Sequence, residues 1–393
     1  MVLLMLVSAC KPPVSLPSVF TYAVVSISRN SAVSGGSVTN AGNGTIKAYG
    51  VCYSSNSNPP TLFNSVTVDG SGTNSFTSNL TGLNDSTVYY ACAYATNESG
   101  TSYGATIRFT TLGFSIREAS GTSSNLFGIY FTDVNNGWAV GNGSILRTVN
   151  GGINWVKKSN PVSSQLNDVF FTSVTNGCAV GYNGAILTTS DSGDNWVQQT
   201  SGVSGTTLTG VWFTNAPNGF AVGAGGMILT TTTNGSSWTP QNSGTTNQLN
   251  DVYFTDATHG WAVGSGGTIL TTSNGGGVWT SKTVTTNNLY GVYFINSTTG
   301  WAVGDNGTIL TTNDGNTWTA QSSGTTNFLR SVYFTNSTNG YAVGGNGIIL
   351  TTNDAGATWV AQTNGTTKDL HSLGYTSQTV YAAGNGGAIL QLQ

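Results

Sequence analysis

The sequence predicts an all-β chain: a seven-bladed β-propeller with an N-terminal clasp strand, preceded by a small β-sandwich domain. The phrase G-[WCFY]-A-V-G occurs six times, from Gly137–Gly141 to Gly340–Gly344, and a degraded seventh copy follows at Val380–Gly384. The copies start 40 to 42 residues apart, and each repeat holds four short runs of β-branched and aromatic residues divided by Asn, Gly, Ser and Thr. A period near 40 with four strands is typical of a propeller blade. Residues 17–112 lack both the repeat and tryptophan, which predicts a separate domain before the propeller at 113–393.

The two ends of the repeat region predict how the ring closes. The seventh copy ends at Ile389-Leu390-Gln391 without a fourth strand of its own. Just before the first copy, Phe114–Gly121 resembles the fourth-strand phrase Trp318–Gly324. We therefore expect the N-terminal segment to complete the last blade as a clasp, which would remove an exposed sheet edge.

A second motif, S/T-x-D-x-G-x-x-W, lies between the third and fourth strands of the repeats. It is complete in two copies, with Asp191 and Trp196 in one and Asp354 and Trp359 in the other. Other copies carry a substitute at the Asp position: Asn150, Asn274, Asn313 and Thr233. The motif resembles the Asp-box of sialidase-type propellers. Its acidic residue is expected to accept backbone N–H bonds across the hairpin, and its Trp to cover the turn, so a structural role is predicted.

The Asp-box, V-Y-F, W-A-V-G and I-L-T-T phrases share one 40-residue frame. In this combination, over residues 113–393, the chain resembles the photosystem II stability/assembly factor propellers. The resemblance implies a non-enzymatic, chaperone-like assembly factor that holds a membrane-protein partner through an arginine-rich patch. This propeller region has only Arg117, Arg147 and Arg330, which belong to different repeats. A partner-binding role is therefore expected, without that patch.

The N-terminus predicts a location in the bacterial cell envelope. Residues 1–16 are interpreted as a lipoprotein signal peptide and linker, because Val7-Ser8-Ala9-Cys10 resembles a lipobox with Cys10 as the lipidated residue. No later segment reaches the ~18 apolar residues that a membrane-spanning helix needs. The chain is expected to be lipid-anchored, on the periplasmic or surface face of the outer membrane.

Residues 17–112 resemble the fibronectin type III-like modules of bacterial surface proteins, through runs such as Tyr49–Ser54 and Tyr89–Ala95. A spacer role is expected for this domain. Cys52 and Cys92 fall on these two runs, which should be neighbouring strands, so a disulfide between them is plausible in an oxidising envelope. The side of the sheet to which Cys92 points depends on whether Tyr89 or Tyr90 faces inward.

Composition excludes several classes of function. Charged residues make up 6% of the chain and the net charge is −3, so no basic surface for nucleic acid is expected. The chain has only two His, which argues against a metal site, and no cofactor is predicted. Asp168 and Asp251 occupy equivalent first-strand positions, where they could form a hydrolase pair or simply bond to neighbouring backbone. We favour the second interpretation and a protein that is not an enzyme.

The partner site is predicted from positions that vary between repeats, since such positions need not serve the shared fold. The residue after the Leu that opens each first strand is one such position: Phe127, Asn167, Thr209, Asn250, Tyr290, Arg330 and His371. Loops expected on the same rim of the channel add Tyr182 and Asp305. Tyr290, Arg330 and His371 are consecutive and of the types that dominate recognition. A monomer that binds a protein partner here is predicted; the alternative is a carbohydrate-binding or glycoside-hydrolase-like propeller that uses its aromatic and Asn-rich mouth.

Overall fold

The computed structural model describes residues 13–84, 87–111, 115–117, 120–362 and 364–392. Contacts between residues divide the chain into two units, Met1–Phe114 and Ser115–Gln393. The predicted lipidation residue Cys10 and the predicted domain boundary between residues 112 and 113 lie outside the described residues. None of the described helices has the length and apolar character to cross a bilayer.

The first unit consists of two antiparallel sheets. One has three strands, in the order Ser18–Thr21, Ser31–Asn40 and Ser75–Thr81. The other has five strands, with the order Ser65–Val66, Ala48–Ser54, Val88–Asn97 and Gly100–Tyr103, and Ile107–Thr110 also pairs with Val88–Asn97.

The two sheets of the first unit enclose one hydrophobic core. Along Ser75–Thr81 buried and exposed residues alternate strictly, as expected for a strand with one face in the core. Phe76 and Leu80 of this strand share the core with Val51 and Tyr89 of the other sheet.

The described residues of the second unit form seven four-stranded antiparallel sheets, numbered here 1 to 7 in chain order. Their first strands are Leu126–Phe131, Leu166–Phe171, Leu208–Asn215, Leu249–Phe254, Leu289–Phe294, Leu329–Phe334 and Leu370–Tyr375. Their second strands are Gly137–Gly141, Gly177–Gly181, Asn218–Gly223, Gly260–Gly264, Gly300–Gly304, Gly340–Gly344 and Val380–Gly384. The prediction of an all-β chain built from repeated four-stranded sheets is confirmed.

The outer strands complete each sheet. The third strands are Ser144–Thr148, Ile186–Thr189, Ile228–Thr231, Thr268–Thr272, Ile309–Thr312, Ile349–Thr352 and Ile389–Leu392. The fourth strands of sheets 1 to 6 are Val156–Lys158, Val197–Gln199, Thr239–Gln241, Thr280–Thr283, Thr319–Gln321 and Val360–Ala361. From sheet 2 onward a short 3₁₀ turn links the second and third strands, at Tyr182–Gly184, Ala224–Gly226, Ser265–Gly267, Asp305–Gly307, Gly345–Gly347 and Asn385–Gly387.

Sheet 7 takes its fourth strand from the start of the unit. Ser115–Arg117 pairs antiparallel with Ile389–Leu392, which is the clasp that the sequence predicts. Just beyond it, the Ser120 hydroxyl donates a hydrogen bond of 2.6 Å to the carbonyl oxygen of Gly387 in the last 3₁₀ turn. Residues 118 and 119 of the predicted clasp segment lie outside the described residues.

Steric crowding explains both glycines of the G-W-A-V-G phrase. A Cβ on Gly300 would lie 2.5 Å from ring carbons of Phe294, which packs flat on the backbone there. A Cβ on Gly304 would lie 2.0 Å from the carbonyl oxygen of Asn288. The whole second strand between them is buried, and the phrase repeats in sheets 1 to 6 because each has the same two close approaches, whereas sheet 7 keeps only the second, at Gly384.

Aromatic stacking joins one sheet to the next. The Trp of a second strand lies flat on the Phe that ends the next first strand, with ring centroids 3.6 Å apart for Trp138 and Phe171. Tyr381 of sheet 7 makes the equivalent stack on Phe131 of sheet 1, at 4.4 Å. The seventh sheet therefore packs on the first through the same kind of stack that joins the first to the second. Cys178 takes the Trp position in sheet 2 and is buried there as a small apolar side chain.

Candidate functional site: the central cavity and its rim

Four of the predicted partner-binding residues form a continuous arc at the start of the first strands of sheets 5, 6, 7 and 1. We call Tyr290, Arg330, His371 and Phe127 the rim arc. The Arg330 guanidinium carbon lies 4.1 Å from the centroid of the Tyr290 ring and 5.2 Å from that of Phe328. The imidazole of His371 lies 4.9 Å from the Phe127 ring. The arc thus holds one cation between aromatic faces, an arrangement that favours a fixed guanidinium.

Arg330 has unused hydrogen-bonding capacity. Its Nε is buried and has no hydrogen-bond partner among the described residues. The ion pairs of the described part of the chain do not include it, whereas Arg147 pairs with Asp194 at 3.0 Å. Its positive charge is therefore not paired with a carboxylate of the described residues, which suits a site for an external carboxylate.

Burial sets the protonation of the other polar members of the rim arc. Burial lowers the pKa of His371, and the Arg330 charge lowers it further, against the opposing effect of a 2.7 Å hydrogen bond between its Nε2 and Asn385 Oδ1. Burial also raises the pKa of Tyr290, as does the neighbouring Asp305 carboxylate. At pH 7 the imidazole and the phenol are therefore neutral, and Arg330 is the only charged member of the arc.

The equivalent residues of sheets 2 and 4 serve the fold. Asn167 Nδ2 donates to the carbonyl of Leu208, and Asn250 Nδ2 donates to that of Leu289, both at 2.6 Å. Each bond ties the start of one first strand to the start of the next. A position that varies between repeats can therefore still stabilise the fold. These two amides are less available to a partner than the side chains of the rim arc.

The two predicted loop residues lie in 3₁₀ turns beside the starts of first strands. Tyr182 opens the turn Tyr182–Gly184 and is 45% exposed. Asp305 opens the turn Asp305–Gly307, and its Oδ2 accepts a hydrogen bond of 2.9 Å from Asn288 Nδ2. Asp305 thus adjoins the rim arc at Tyr290, whereas Tyr182 belongs to sheet 2.

Asp168 and Asp251 lie one residue further along their strands and bind backbone. Asp168 Oδ1 accepts from Val169 N at 2.8 Å and its Oδ2 accepts from Val211 N, in the next sheet, at 2.9 Å. Asp251 repeats this pattern with Val252 and Val292 at the same two distances. Both carboxyls join one first strand to the next, which is the interpretation that the sequence favours over a hydrolase pair.

The environment of these carboxyls perturbs their acidity. Burial raises the pKa of Asp168 to about 7, against the backbone N–H bonds that lower it, and the charge of Asp251 adds to the rise. Burial likewise raises the pKa of Asp251 to about 6. Both side chains nevertheless keep partial exposure, because the central cavity reaches them. No group of three or more His, Cys, Asp or Glu side chains suited to a metal occurs within the described parts of the chain.

A ring of aromatic side chains, which the sequence analysis missed, lines the other end of the cavity. Each first strand contributes one member, at its fifth position in sheets 1 to 6 and at its sixth in sheet 7. We call this set the aromatic ring: Tyr130, Phe170, Trp212, Tyr253, Tyr293, Tyr333 and Tyr375. Successive ring centroids lie 4.0 to 5.2 Å apart from sheet 1 to sheet 7.

The cavity between the carboxyls and the aromatic ring has a volume of about 120 Å³. Burial raises the pKa of all five tyrosines of the ring, to about 12 for Tyr293, so their phenols are neutral at pH 7. The signal that could have revealed the ring was the middle letter of the V-Y-F phrase. In a strand, side chains of alternate residues share a face, so this position shares the cavity face with the Asp168 position.

The Asp-box residues lie in the hairpins between third and fourth strands. Asp191 Oδ1 accepts from Thr189 Oγ1 at 2.8 Å and from Asn195 N at 2.9 Å. Asp354 Oδ1 makes the same two kinds of bond, and the indoles of Trp196 and Trp359 are buried. These contacts stay within the hairpin, on the side of the sheets opposite the rim arc.

The prediction for the Asp-box of sheet 5 is wrong. There Asp314, and not Asn313, accepts from Thr312 Oγ1 at 3.0 Å and from Thr317 N at 2.6 Å. The reason is that this hairpin is one residue shorter than the others, so the acidic residue keeps its spacing from Thr312 while Trp318 comes one position earlier.

In the first unit, Cys52 and Cys92 are direct partners on neighbouring antiparallel strands. Tyr89 faces the core between the sheets, so both cysteines lie on the opposite face, in a small buried cluster with Tyr94. Both are free thiols in this structure. Burial raises the pKa of Cys52 to about 12 and that of Cys92 to about 11, so both thiols are neutral at pH 7. A disulfide between them in an oxidising compartment stays a prediction.

Comparison with known proteins identifies relatives of the second unit. The sequence profile of the family described as Photosynthesis system II assembly factor YCF48 matches residues 155–242, 236–320 and 283–362. Among solved structures, the fold is similar to YCF48 bound to D1 peptide, with a TM-score of 0.62 and 18% identity over 72% of this chain and 96% of that chain. YCF48 from Cyanidioschyzon merolae gives a TM-score of 0.61 and 20% identity over 72% of this chain and 99% of that chain.

A propeller of different description is also similar in fold. A streptogramin B lyase matches with a TM-score of 0.63 and 13% identity, over 71% of this chain and 97% of that chain. At such identities these likenesses show the β-propeller fold alone. No curated protein matches the sequence.

Proposed function

Because this chain belongs to the Photosynthesis system II assembly factor YCF48 family, we propose that it is a non-catalytic, assembly-type propeller that binds a protein partner through the rim arc. A related structure holds a D1 peptide, which supports a protein or peptide as the kind of partner. The observation that carries the proposal is Arg330, a guanidinium that lies over two aromatic rings and forms no ion pair with the described carboxylates.

Arg330 is suited to a carboxylate of the partner, either a side chain or a C-terminus. A guanidinium presents parallel N–H groups that match the two oxygens of a carboxylate, and stacking on Tyr290 fixes the plane of that fork. Residues of these two types carry a large share of the energy at protein interfaces. The proposed site relies on Arg330 alone and not on an arginine-rich patch. Arg147 is paired with Asp194 and is therefore less available to a partner.

The setting of the site is part of the proposal. The seven four-stranded sheets are taken as seven blades of one propeller, closed by the clasp Ser115–Arg117. The first unit is taken as a fibronectin type III-like spacer, and Cys10 as the lipid anchor that fixes a monomer to the cell envelope. Radiolabelled palmitate should enter the wild type and not a Cys10→Ala variant; equal labelling of both would rule out the anchor.

The partner is sought by affinity capture from envelope extract with the full chain, followed by a binding titration with the captured protein. Arg330→Ala should weaken the titrated affinity by about 10- to 100-fold, the range of an interface hot spot. Arg330→Lys should recover only part of it, because lysine lacks the planar fork. Arg147→Ala is the matched control and should bind as the wild type does. Equal affinity of the Arg330→Ala variant would refute the rim arc as the site.

The rival function, glycan binding or hydrolysis, has less support in the geometry. Both oxygens of Asp168 and both of Asp251 already accept backbone N–H bonds, one from the following residue of the same strand and one from the next sheet. Release of reducing sugar by the wild type, lost in Asp168→Asn or Asp251→Asn, would reverse this preference.

A further inference from the structure

We propose that the central cavity is a second binding site, separate from the rim arc, for a small organic cation: an alkylammonium or guanidinium group. The cation would lie between the aromatic ring and the carboxyls of Asp168 and Asp251. Nothing in the proposed partner binding requires such a site.

The aromatic ring supplies a wall of the kind that attracts cations. The face of an aromatic ring carries negative electrostatic potential, and Trp and Tyr bind ammonium groups better than aliphatic walls do. Six of the seven members are Tyr or Trp, and all except Phe170 keep part of their surface accessible. Tyr375 is 44% exposed, which marks the mouth of the cavity on this side.

The carboxyls supply negative charge with no cation to balance it. Each oxygen of Asp168 and of Asp251 accepts one backbone N–H, whereas an ionised carboxylate offers about four acceptor sites. About two sites on each carboxylate are thus left to face a ligand. No Lys, Arg or His lines the cavity in the described part of the chain.

The size of the cavity selects a small ligand. A volume of about 120 Å³ is near that of engineered cavities of ~150 Å³ that hold a benzene ring, which has six heavy atoms. n-Butylammonium has five heavy atoms and fits within this limit. A hexose has twelve and does not, so the cavity favours a cation over a sugar.

Protonation should gate the site between pH 5 and pH 8. The groups that face Asp168 and Asp251 are each other, the five tyrosines of the aromatic ring and, beside Asp168, Cys178. The phenols and the thiol have raised pKa values and stay neutral in this range. Only the two carboxyls, with pKa values of about 7 and about 6, change charge, so a cation should bind more tightly as the pH rises.

Isothermal titration calorimetry of the full chain with n-butylammonium chloride tests the site, with n-butanol as the neutral ligand of the same length. We expect saturable binding of the ammonium at pH 8, binding at least tenfold weaker at pH 5, and no saturable binding of n-butanol. Absence of saturable heat, equal binding of n-butanol, or affinity independent of pH would overturn the proposal.

Three variants place the site. Asp168→Asn combined with Asp251→Asn should weaken n-butylammonium binding at least tenfold, and Tyr375→Leu, a half-exposed position that should fold normally, at least threefold. Arg330→Ala should leave it unchanged. Wild-type affinity in a folded Tyr375→Leu or double-Asn variant would overturn the assignment.

A second ligand separates two sources of the cation. Nα-acetyl-lysine methylamide carries the same ammonium on a peptide-like backbone. Affinity within threefold of n-butylammonium would support a lysine side chain of a protein as the occupant, and binding of n-butylammonium alone would support a free small molecule. Failure of both ligands refutes the cavity site and leaves the rim arc proposal intact.

Discussion

Replacing Asp168 by Asn should change how the stability of the second unit depends on pH. In the folded protein the pKa of Asp168 is about 7, against 3.8 for an unperturbed Asp, and burial is the main cause. Between these two values the unfolded chain has released the proton while the folded protein keeps it. The folded state therefore binds more protons, and the free energy of unfolding falls as the pH rises from about 4 to about 7.

The magnitude follows from the shift of about 3 pKa units. At about 1.4 kcal/mol per unit, the raised pKa of Asp168 makes the free energy of unfolding of the wild type about 4 kcal/mol lower at pH 8 than at pH 4. The Asn side chain of the variant does not titrate, so the variant lacks this pH dependence. It can accept only one of the two backbone N–H bonds, which lowers the free energy of unfolding by about 1–3 kcal/mol at every pH. The wild type should thus be more stable at pH 4 and the variant more stable at pH 8, so their stability curves cross.

Urea unfolding followed by tryptophan fluorescence measures this difference. All ten tryptophans fall between Trp138 and Trp359, so the signal reports only the second unit. Asp191→Asn is the matched control, because Asn already occupies this position at Asn150 and Asn274, and its effect should be constant between pH 4 and pH 8. Parallel curves for the wild type and the Asp168→Asn variant over this range would refute the reasoning.

Three further predictions concern packing and thiol chemistry. Trp301→Ala removes a ring that stacks 3.5 Å from Phe334, and should lower the free energy of unfolding by about 3–5 kcal/mol in the same urea assay; a loss below about 1 kcal/mol would contradict the stacking argument. Gly304→Ala should cost about 1–3 kcal/mol or more through its clash with a loop carbonyl, and a variant as stable as the wild type would show that the loop yields. Cys52 and Cys92 should resist iodoacetamide at pH 8 while folded, because both thiols are buried and neutral, and mass spectrometry after unfolding, with and without reductant, would separate thiols from a disulfide; rapid alkylation of the folded protein would contradict their burial.

The repeat pattern was enough to predict the strands and their pairing. A period of 40 to 42 residues positions Gly300–Gly304 and its counterparts in the same way, because the same two steric contacts recur in sheets 1 to 6. The clasp could also be predicted, since Ser115–Arg117 supplies a strand that the last repeat lacks. The error at Asn313 shows the limit: in a hairpin shortened by one residue Trp318 comes one position earlier, so the spacing from the Trp indicates Asn313, whereas Asp314 bonds to Thr312.

The site was harder to predict than the fold. Comparing repeats favoured positions that differ, and this found Arg330 but also Asn167, whose amide bonds to the next sheet. The aromatic ring was missed for the opposite reason. The position of Tyr253 is aromatic in all of sheets 1 to 6, so comparison between repeats does not single it out, although the arrangement of the sheets brings these side chains together around one cavity.

Strand Ser115–Arg117 leads the second unit in sequence, and its hydrogen-bonding partner Ile389–Leu392 comes last. A ribosome therefore delivers the first of these strands long before the other exists. Until then, the nascent chain carries an open sheet stack with unpaired edges at both ends, the species most prone to join with another copy. Slow translation or a premature stop near residue 388 should thus yield aggregates and not a slightly shorter working protein.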